Sequence, residues 1–133
     1  MMHAVLADTG PLYAAVDPRD GLHEQAVAQM GKLARERRRV LVAYPILLEA
    51  YTMVRRRLGR SAASSWLIDM VDTVLINPTP EDYRQAIARV EALADQPITL
   101  FDATLAVLAA RLRLDVWTYD HHFEVMRVGV WQG

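Results

Sequence analysis

Cysteine is absent from this chain, which excludes disulfides, thiolate zinc sites, iron–sulfur clusters and a cysteine nucleophile. Any metal must therefore bind through oxygen or imidazole. Lysine is nearly absent too: of fifteen basic residues fourteen are arginine, and Lys32 is the exception. Arginine suits planar, bidentate contact with phosphate or carboxylate. A formal net charge of −1 excludes a polycationic surface, so a nucleic-acid partner would have to be met locally. No run of 18 apolar residues is available to span a membrane, and the N-terminal stretch from Met1 to Asp8 lacks the basic start and long apolar run of a secretory signal. The expectation is a cytoplasmic protein with no membrane partner. Linkers, repeats and low-complexity segments are also missing. The 53% hydrophobic content is ample for one core, so residues 1–133 are expected to form a single domain.

The run Ala4–Ala7 reads as a short buried strand, broken by the turn Asp8-Thr9-Gly10-Pro11. After a turn at Asp17–Gly21, Leu22, Ala26, Met30 and Leu33 recur at helical spacing and predict a helix over 22–38. Val40–Tyr44 reads as a second buried strand, and Pro45 opens a helix over 46–58 that Gly59 closes. Residues 61–71 predict a helix and Val74–Ile76 a strand that Asn77-Pro78 ends. Thr79-Pro80-Glu81-Asp82 combines a cap, a proline at the first helical position and an acid at the third, which predicts a helix over about 80–94. Thr99 opens another over about 100–113, and strands are expected at 115–119 and 127–131. Short apolar strands alternating with helices indicate a parallel sheet covered on both faces, an α/β sandwich. In such sheets ligands bind at the carboxyl ends of the strands.

Four acids fall at or near that edge. Asp8 is the first polar residue after the first strand, where it either serves a site or caps a helix over 10–16. Glu49 lies early in the helix after the second strand, at the border of an apolar arc formed by Ile46, Leu47, Ala50, Met53 and Val54. Its neighbours three and four positions away include no cation, so a helical ion pair does not explain it, though a solvated helix face does. Asp102 follows Thr99 at capping-box spacing, but Leu105, Ala106 and Ala109 share its stripe while Thr104 and Arg111 face away. That wheel places its carboxylate at the head of a buried, small-residue face, which is costly unless the charge is paired or metal-bound. Asp82 has the same capping pattern on a more polar helix and reads as structural. Asp120 ends the fourth strand, with Thr118 on its face; a cap for a turn over 121–125 is the plainer explanation.

Taken together, Leu6-Ala7-Asp8-Thr9, Leu47-Leu48-Glu49-Ala50, Leu100-Phe101-Asp102-Ala103-Thr104 and Thr118-Tyr119-Asp120-His121-His122-Phe123 resemble the motifs of PIN-domain nucleases, most closely the VapC toxins of toxin–antitoxin modules. The resemblance covers nearly the whole chain. It implies a three-layer α/β/α sandwich with a parallel sheet of four to five strands in the order 3-2-1-4-5, an Mg²⁺ or Mn²⁺ site, and endoribonuclease activity. Residue by residue, Asp8 and Asp102 match the family's main metal ligands, and Glu49 and Asp120 its other two acids. The resulting expectation is that Asp8, Asp102 and Asp120 hold the metal while Glu49 positions a water or a second ion. Thr118 matches a frequent hydroxyl position, whereas Tyr119 is bulkier than the family pattern. Thr9 and Thr118 are candidates to support the ligands through their hydroxyls, although capping and strand propensity explain each without function. The family further implies an RNA substrate, a cognate antitoxin protein that blocks the acids, and a homodimer.

Arg35, Arg37, Arg38 and Arg39 crowd one helix end and Arg55, Arg56, Arg57 and Arg60 another. They offer either a nucleic-acid patch or solvated charges complementing the helix dipoles. The segment with Trp66, Leu67 and Ile68, preceded by Met53 and Val54, offers either a partner surface or core packing. Three other readings compete. Asp8-Thr9-Gly10 also resembles an aspartic-protease signature, but that fold is nearly all β. A phospho-receiver domain needs a lysine near its last strand, where this chain has none. A PIN fold without catalysis, acting as a scaffold, is disfavoured by the four intact acids.

Overall fold

The computed structural model describes residues 3–133. Five strands form one sheet: β1 (Ala4–Ala7), β2 (Arg39–Ala43), β3 (Val74–Ile76), β4 (Asp115–Trp117) and β5 (Val130–Trp131). Their order is β3-β2-β1-β4-β5 and every pairing is parallel. The strand with neighbours on both sides nearest the middle is β1, and all four of its residues are buried. Such a strand has no polar face, which is why it reads as an unbroken apolar run. Register places Leu6 beside Leu41 and Val116, and Ala7 beside Trp117, so the chain after β1 leaves the sheet at the level where β4 ends.

The helices are α1 (Thr9–Ala14), α2 (His23–Arg35), α3 (Tyr44–Leu58), α4 (Arg60–Val71), α5 (Pro80–Ala92), α6 (Leu100–Leu112) and α7 (His122–Val125). α1 packs on α2 and α3, and α3 on α4; α5 packs on α6, and Arg89 of α5 donates to Met126 O just beyond α7. These two sets cover the sheet as the outer layers of a three-layer α/β/α sandwich. Among the described residues no helix is long and apolar enough to cross a membrane.

Most boundaries fall within three residues of those expected, and the differences have local causes. The fourth strand stops at Trp117 because Thr118 and Tyr119 turn their side chains into other contacts beyond the ladder. The last strand begins only at Val130. Arg127 adopts a left-handed backbone (φ 59°) and Val128 N donates to Phe123 O, a reversal that occupies the residues expected to be strand. Helix α2 ends three residues early, where Arg37 is left-handed (φ 56°) and Arg38 N donates to Leu33 O. Its buried stripe is Ala26, Gln29 and Leu33, while Leu22 and Met30 are exposed.

Helix α6 departs most from its expected wheel. Residues Ala103 to Ala109 are all buried, so Thr104 does not face away: it is 3% exposed and its hydroxyl donates to Leu100 O at 2.7 Å. The helix is enclosed by α5 and its own sheet face, leaving no polar side until Arg111. The apolar segment of α4 divides: Trp66 enters the core, whereas Ile68 and Val71 are exposed. The two arginine groups lie at the ends of α2 and α3, and Arg57 stands over the Tyr13 ring at 5.0 Å. Arg37 to Arg39 lead into the amino end of β2, at the sheet edge opposite the acids.

Candidate active site at the carboxyl edge

Asp8 follows β1 directly, and its N–H donates to Trp117 O at 2.9 Å, carrying the β1–β4 pairing one residue past the strand. It is also the N-cap of α1, with Oδ1 accepting from Thr9 N at 2.8 Å, so it does cap as well as face the edge. Oδ2 accepts from the Thr118 hydroxyl at 2.8 Å. The residue keeps some contact with solvent, yet its carboxyl group is withdrawn enough that burial is the main influence on its ionisation. Burial raises the pKa, the Thr118 and Thr9 bonds pull it back, and the charges of Asp102 and Glu49 raise it again, leaving it pushed up to about 6.

Glu49 lies in the second turn of α3 and is half-buried. Its position at the border of the apolar arc turns it toward α1, where Oε1 accepts a short hydrogen bond from the Thr9 hydroxyl. Thr9 itself is buried. One threonine therefore serves two acids, its N–H holding Asp8 and its hydroxyl holding Glu49.

Asp102 sits in a complete capping box: Thr99 Oγ1 accepts from Asp102 N at 3.1 Å and Asp102 Oδ2 accepts from Thr99 N at 3.0 Å. The carboxylate is half-buried, not enclosed as the expected wheel had it, because the buried stripe begins one residue later at Ala103. Asp82 occupies the same position of an equivalent box with Thr79, where it is 2% exposed. The difference is the partner. Arg111 grips both oxygens of Asp82, at 2.8 and 2.7 Å, and holds its pKa below the usual carboxylate range. Among the described residues Asp8, Glu49 and Asp102 form no ion pair with any cation.

Asp120 is oriented by its own segment. Its Oδ1 accepts from His122 N at 2.9 Å and lies 2.7 Å from His122 Nδ1, so the turn-capping explanation holds for that oxygen. The link to the other acids runs through Thr118, whose hydroxyl donates to Asp8 and accepts from Asp120 N at 2.9 Å.

The fold thus brings Glu49 and Asp102 within electrostatic reach of Asp8 and ties Asp120 to Asp8 through one buried hydroxyl. Among the described residues no three acidic or histidine side chains stand close enough to form a ready-made chelate. The donor set nonetheless suits a hard divalent cation. Every candidate ligand atom is oxygen, no neighbouring cation neutralises Asp8, Glu49 or Asp102, and Glu49, Asp102 and Asp120 each use one carboxylate oxygen locally and leave the other without a hydrogen bond among the described residues.

Two neighbouring features escaped the sequence reading. A polar cleft of about 350 Å³ adjoins Thr118 and Asp120, and Gln29 of α2 forms part of its wall. Gln29 sits three residues after Ala26 and four before Leu33, so a polar residue on a buried stripe was the available signal. A smaller apolar cleft lies among Pro45, Tyr83, Leu100, Phe101 and Thr104; the exposed pair Leu100-Phe101 beside Asp102 was its trace.

Comparison with known proteins adds a family. A family profile described as PIN domain matches residues 5–128. No curated protein matches the chain. Among solved structures, the chain is similar to Mycobacterium tuberculosis VapC20, described as a sarcin–ricin loop cleaving toxin, with a TM-score of 0.83, 19% identity and 98% of both chains covered. It is similar to a chain of VapBC2 from Rickettsia felis bound to a promoter DNA fragment, at a TM-score of 0.73, 14% identity and 96% of both chains. It also resembles a chain of FitAcB from Neisseria gonorrhoeae, at 0.69, 20% identity and 96% of both chains.

Proposed function

Because the chain belongs to the PIN-domain family, we propose that it is a divalent-metal-dependent endoribonuclease, the toxin of a type II toxin–antitoxin pair. The observation that carries this reading is the group of carboxylates at Asp8, which no cation neutralises among the described residues: burial first, and then the charges of Asp102 and Glu49, push the Asp8 pKa up to about 6. Acids without a catalytic or binding task are normally paired when buried, as Asp82 is with Arg111. In this reading Asp8, Asp102 and Asp120 hold Mg²⁺ or Mn²⁺, and Glu49 positions a water or a second ion. A bound divalent cation supplies charge relief at the non-bridging phosphate oxygens and a water of lowered pKa. Thr9 and Thr118 fix the orientation of Glu49 and Asp8, so that these carboxylates would meet a cation without rearranging.

RNA as the substrate is supported by the sarcin–ricin loop cleavage named for VapC20. The antitoxin is supported by the similar chains found in toxin–antitoxin assemblies, including a toxin–antitoxin complex from Klebsiella pneumoniae. Exposed Tyr44, Leu48, Leu100 and Phe101, close to the acids in sequence, offer apolar surface for that protein contact and for a homodimer. A mixed RNA substrate incubated with Mg²⁺ or Mn²⁺ is expected to be cut by the wild type, and not by Asp8→Asn, Asp102→Asn or the wild type in EDTA. Cleavage that persists in EDTA or in both variants would overturn the assignment. A folded wild type that binds RNA without cutting it would mark a catalytically inactive scaffold instead.

A further inference from the structure

The polar cleft beside Asp120 has a composition that the metal site does not account for. It is lined by Gln25 and Gln29 of α2 and by Tyr119, Asp120, His121 and Glu124. Its volume of about 350 Å³ lies in the range of sites for small organic ligands. Gln29 is 8% exposed, and its Oε1 accepts from both Trp117 Nε1 at 2.9 Å and the Tyr119 hydroxyl at 2.6 Å. An indole N–H can only donate, so the amide oxygen must face Trp117 and the amide nitrogen must face the other way. That nitrogen has one long bond, 3.4 Å to Gln132 O, and so retains donor capacity at the cleft wall. Gln25, His121 and Glu124 are exposed around it, and the His121 ring lies tilted at 33° to that of His122 with centroids 4.5 Å apart.

We propose that this cleft binds the guanine base of a nucleotide flanking the cleaved phosphate, with Glu124 accepting from the base's N–H groups and the Gln29 and Gln25 amides donating to its carbonyl oxygen. The assignment rests on the ribonuclease reading of the neighbouring acids and adds a determinant of sequence preference to it. A carboxylate and amide donors lining one cleft match the Watson–Crick edge of guanine, which presents two donors beside an acceptor; adenine would set its ring nitrogen against the carboxylate. Single-stranded RNA is read in this way, by splayed bases stacked on aromatic rings and bonded along their edges. Here His121 is the exposed ring available for stacking. Location supports the role: Thr118 and Asp120 belong both to the cleft and to the chain of hydrogen bonds leading to Asp8, so a base held there has its phosphate at the acids.

The test is a nucleoside titration followed through the side-chain amide signals of Gln25 and Gln29 by NMR, in metal-free buffer so that cleavage plays no part. Guanosine, which brings no phosphate to the unneutralised acids, is expected to shift both signals and to bind about tenfold more tightly than adenosine, the discrimination of one good bidentate contact. Glu124→Gln, an exposed substitution that does not threaten the fold, should level the two affinities. No binding of guanosine, equal binding of both nucleosides by the wild type, shifts confined to other residues, or an unchanged preference in Glu124→Gln would each overturn the subsite. Failure of the ribonuclease reading looks different: the guanine preference would persist while RNA stayed intact with Mg²⁺ or Mn²⁺.

Discussion

Thr118 Oγ1 donates to Asp8 Oδ2 at 2.8 Å, joining the carboxyl ends of β1 and β4 by a single buried hydroxyl. The same oxygen accepts from Asp120 N, so the group that favours ionised Asp8 also sets where the chain carrying Asp120 turns. Thr118→Val keeps the shape and removes both functions. The Asp8 pKa should then rise above about 6, since the Thr118 bond is the largest influence lowering it. Carboxyl-carbon NMR titration reads this directly, and Thr118→Ser should restore the wild-type value. An unchanged titration in Thr118→Val would show that the bond does not govern Asp8.

Asp8 makes stability depend on pH in a defined direction. Its folded pKa of about 6 lies above the ordinary value of 3.8, so the protonated form is the one that folding favours. The stabilisation is complete below pH 3.8, is lost as pH rises through about 6, and leaves the ionised group as a burden at neutral pH. A shift of this size corresponds to about 3 kcal/mol. Asp8→Asn should therefore melt at a higher temperature than wild type at pH 7 in metal-free buffer, with the gap closing towards pH 4. A lower melting temperature at pH 7 would contradict the sign.

Divalent cations should reverse that burden. Mg²⁺ or Mn²⁺ is expected to raise the wild-type melting temperature in proportion to the logarithm of its concentration above the dissociation constant. Asp102→Asn should abolish most of the rise while folding normally, because its capping bond to Thr99 N can be kept by an amide oxygen. Equal stabilisation of wild type and variant would place the cation elsewhere.

The Asp82–Arg111 pair should behave in the opposite way. Arg111→Met leaves a carboxylate of 2% exposure without its cation and should cost about 3 kcal/mol in urea unfolding, near the low end for breaking a buried pair. Arg111 is 45% exposed at its side chain, so water already moderates its contribution. Metal-induced stabilisation should survive this substitution. Loss of the metal response would mean that the pair supports the site through α6.

Much of this arrangement is legible in the residues themselves. The strand Ala4–Ala7 and the strand Val74–Ile76 are bounded by Asp8 and by Asn77-Pro78, and the helix from Pro80 is announced by its capping box. The clustering of Asp8, Glu49 and Asp102 follows once the parallel sheet is granted, because each lies just past a strand end or in the first turns of a helix. What misleads is any inference that assumes a two-sided helix. The wheel of α6 assigns Thr104 to an outer side that does not exist, and the stripe of α2 passes over Gln29 in favour of Met30. Nor does spacing show where a carboxylate turns: Asp120 spends one oxygen on His122, a contact two residues away.

The sheet order has a dynamic consequence. Asp8 hangs from a strand paired on both sides, whereas Asp120 lies between a three-residue strand and a four-residue helix, next to an edge strand of two residues. Local opening begins where few backbone bonds must break together, so the amides after Trp117 should exchange with solvent well before that of Leu6. The acids are thus mounted on a fixed post and a hinged one, and whatever closes the hinge, whether ion, nucleotide or inhibitor, will register first as slowed exchange around Asp120.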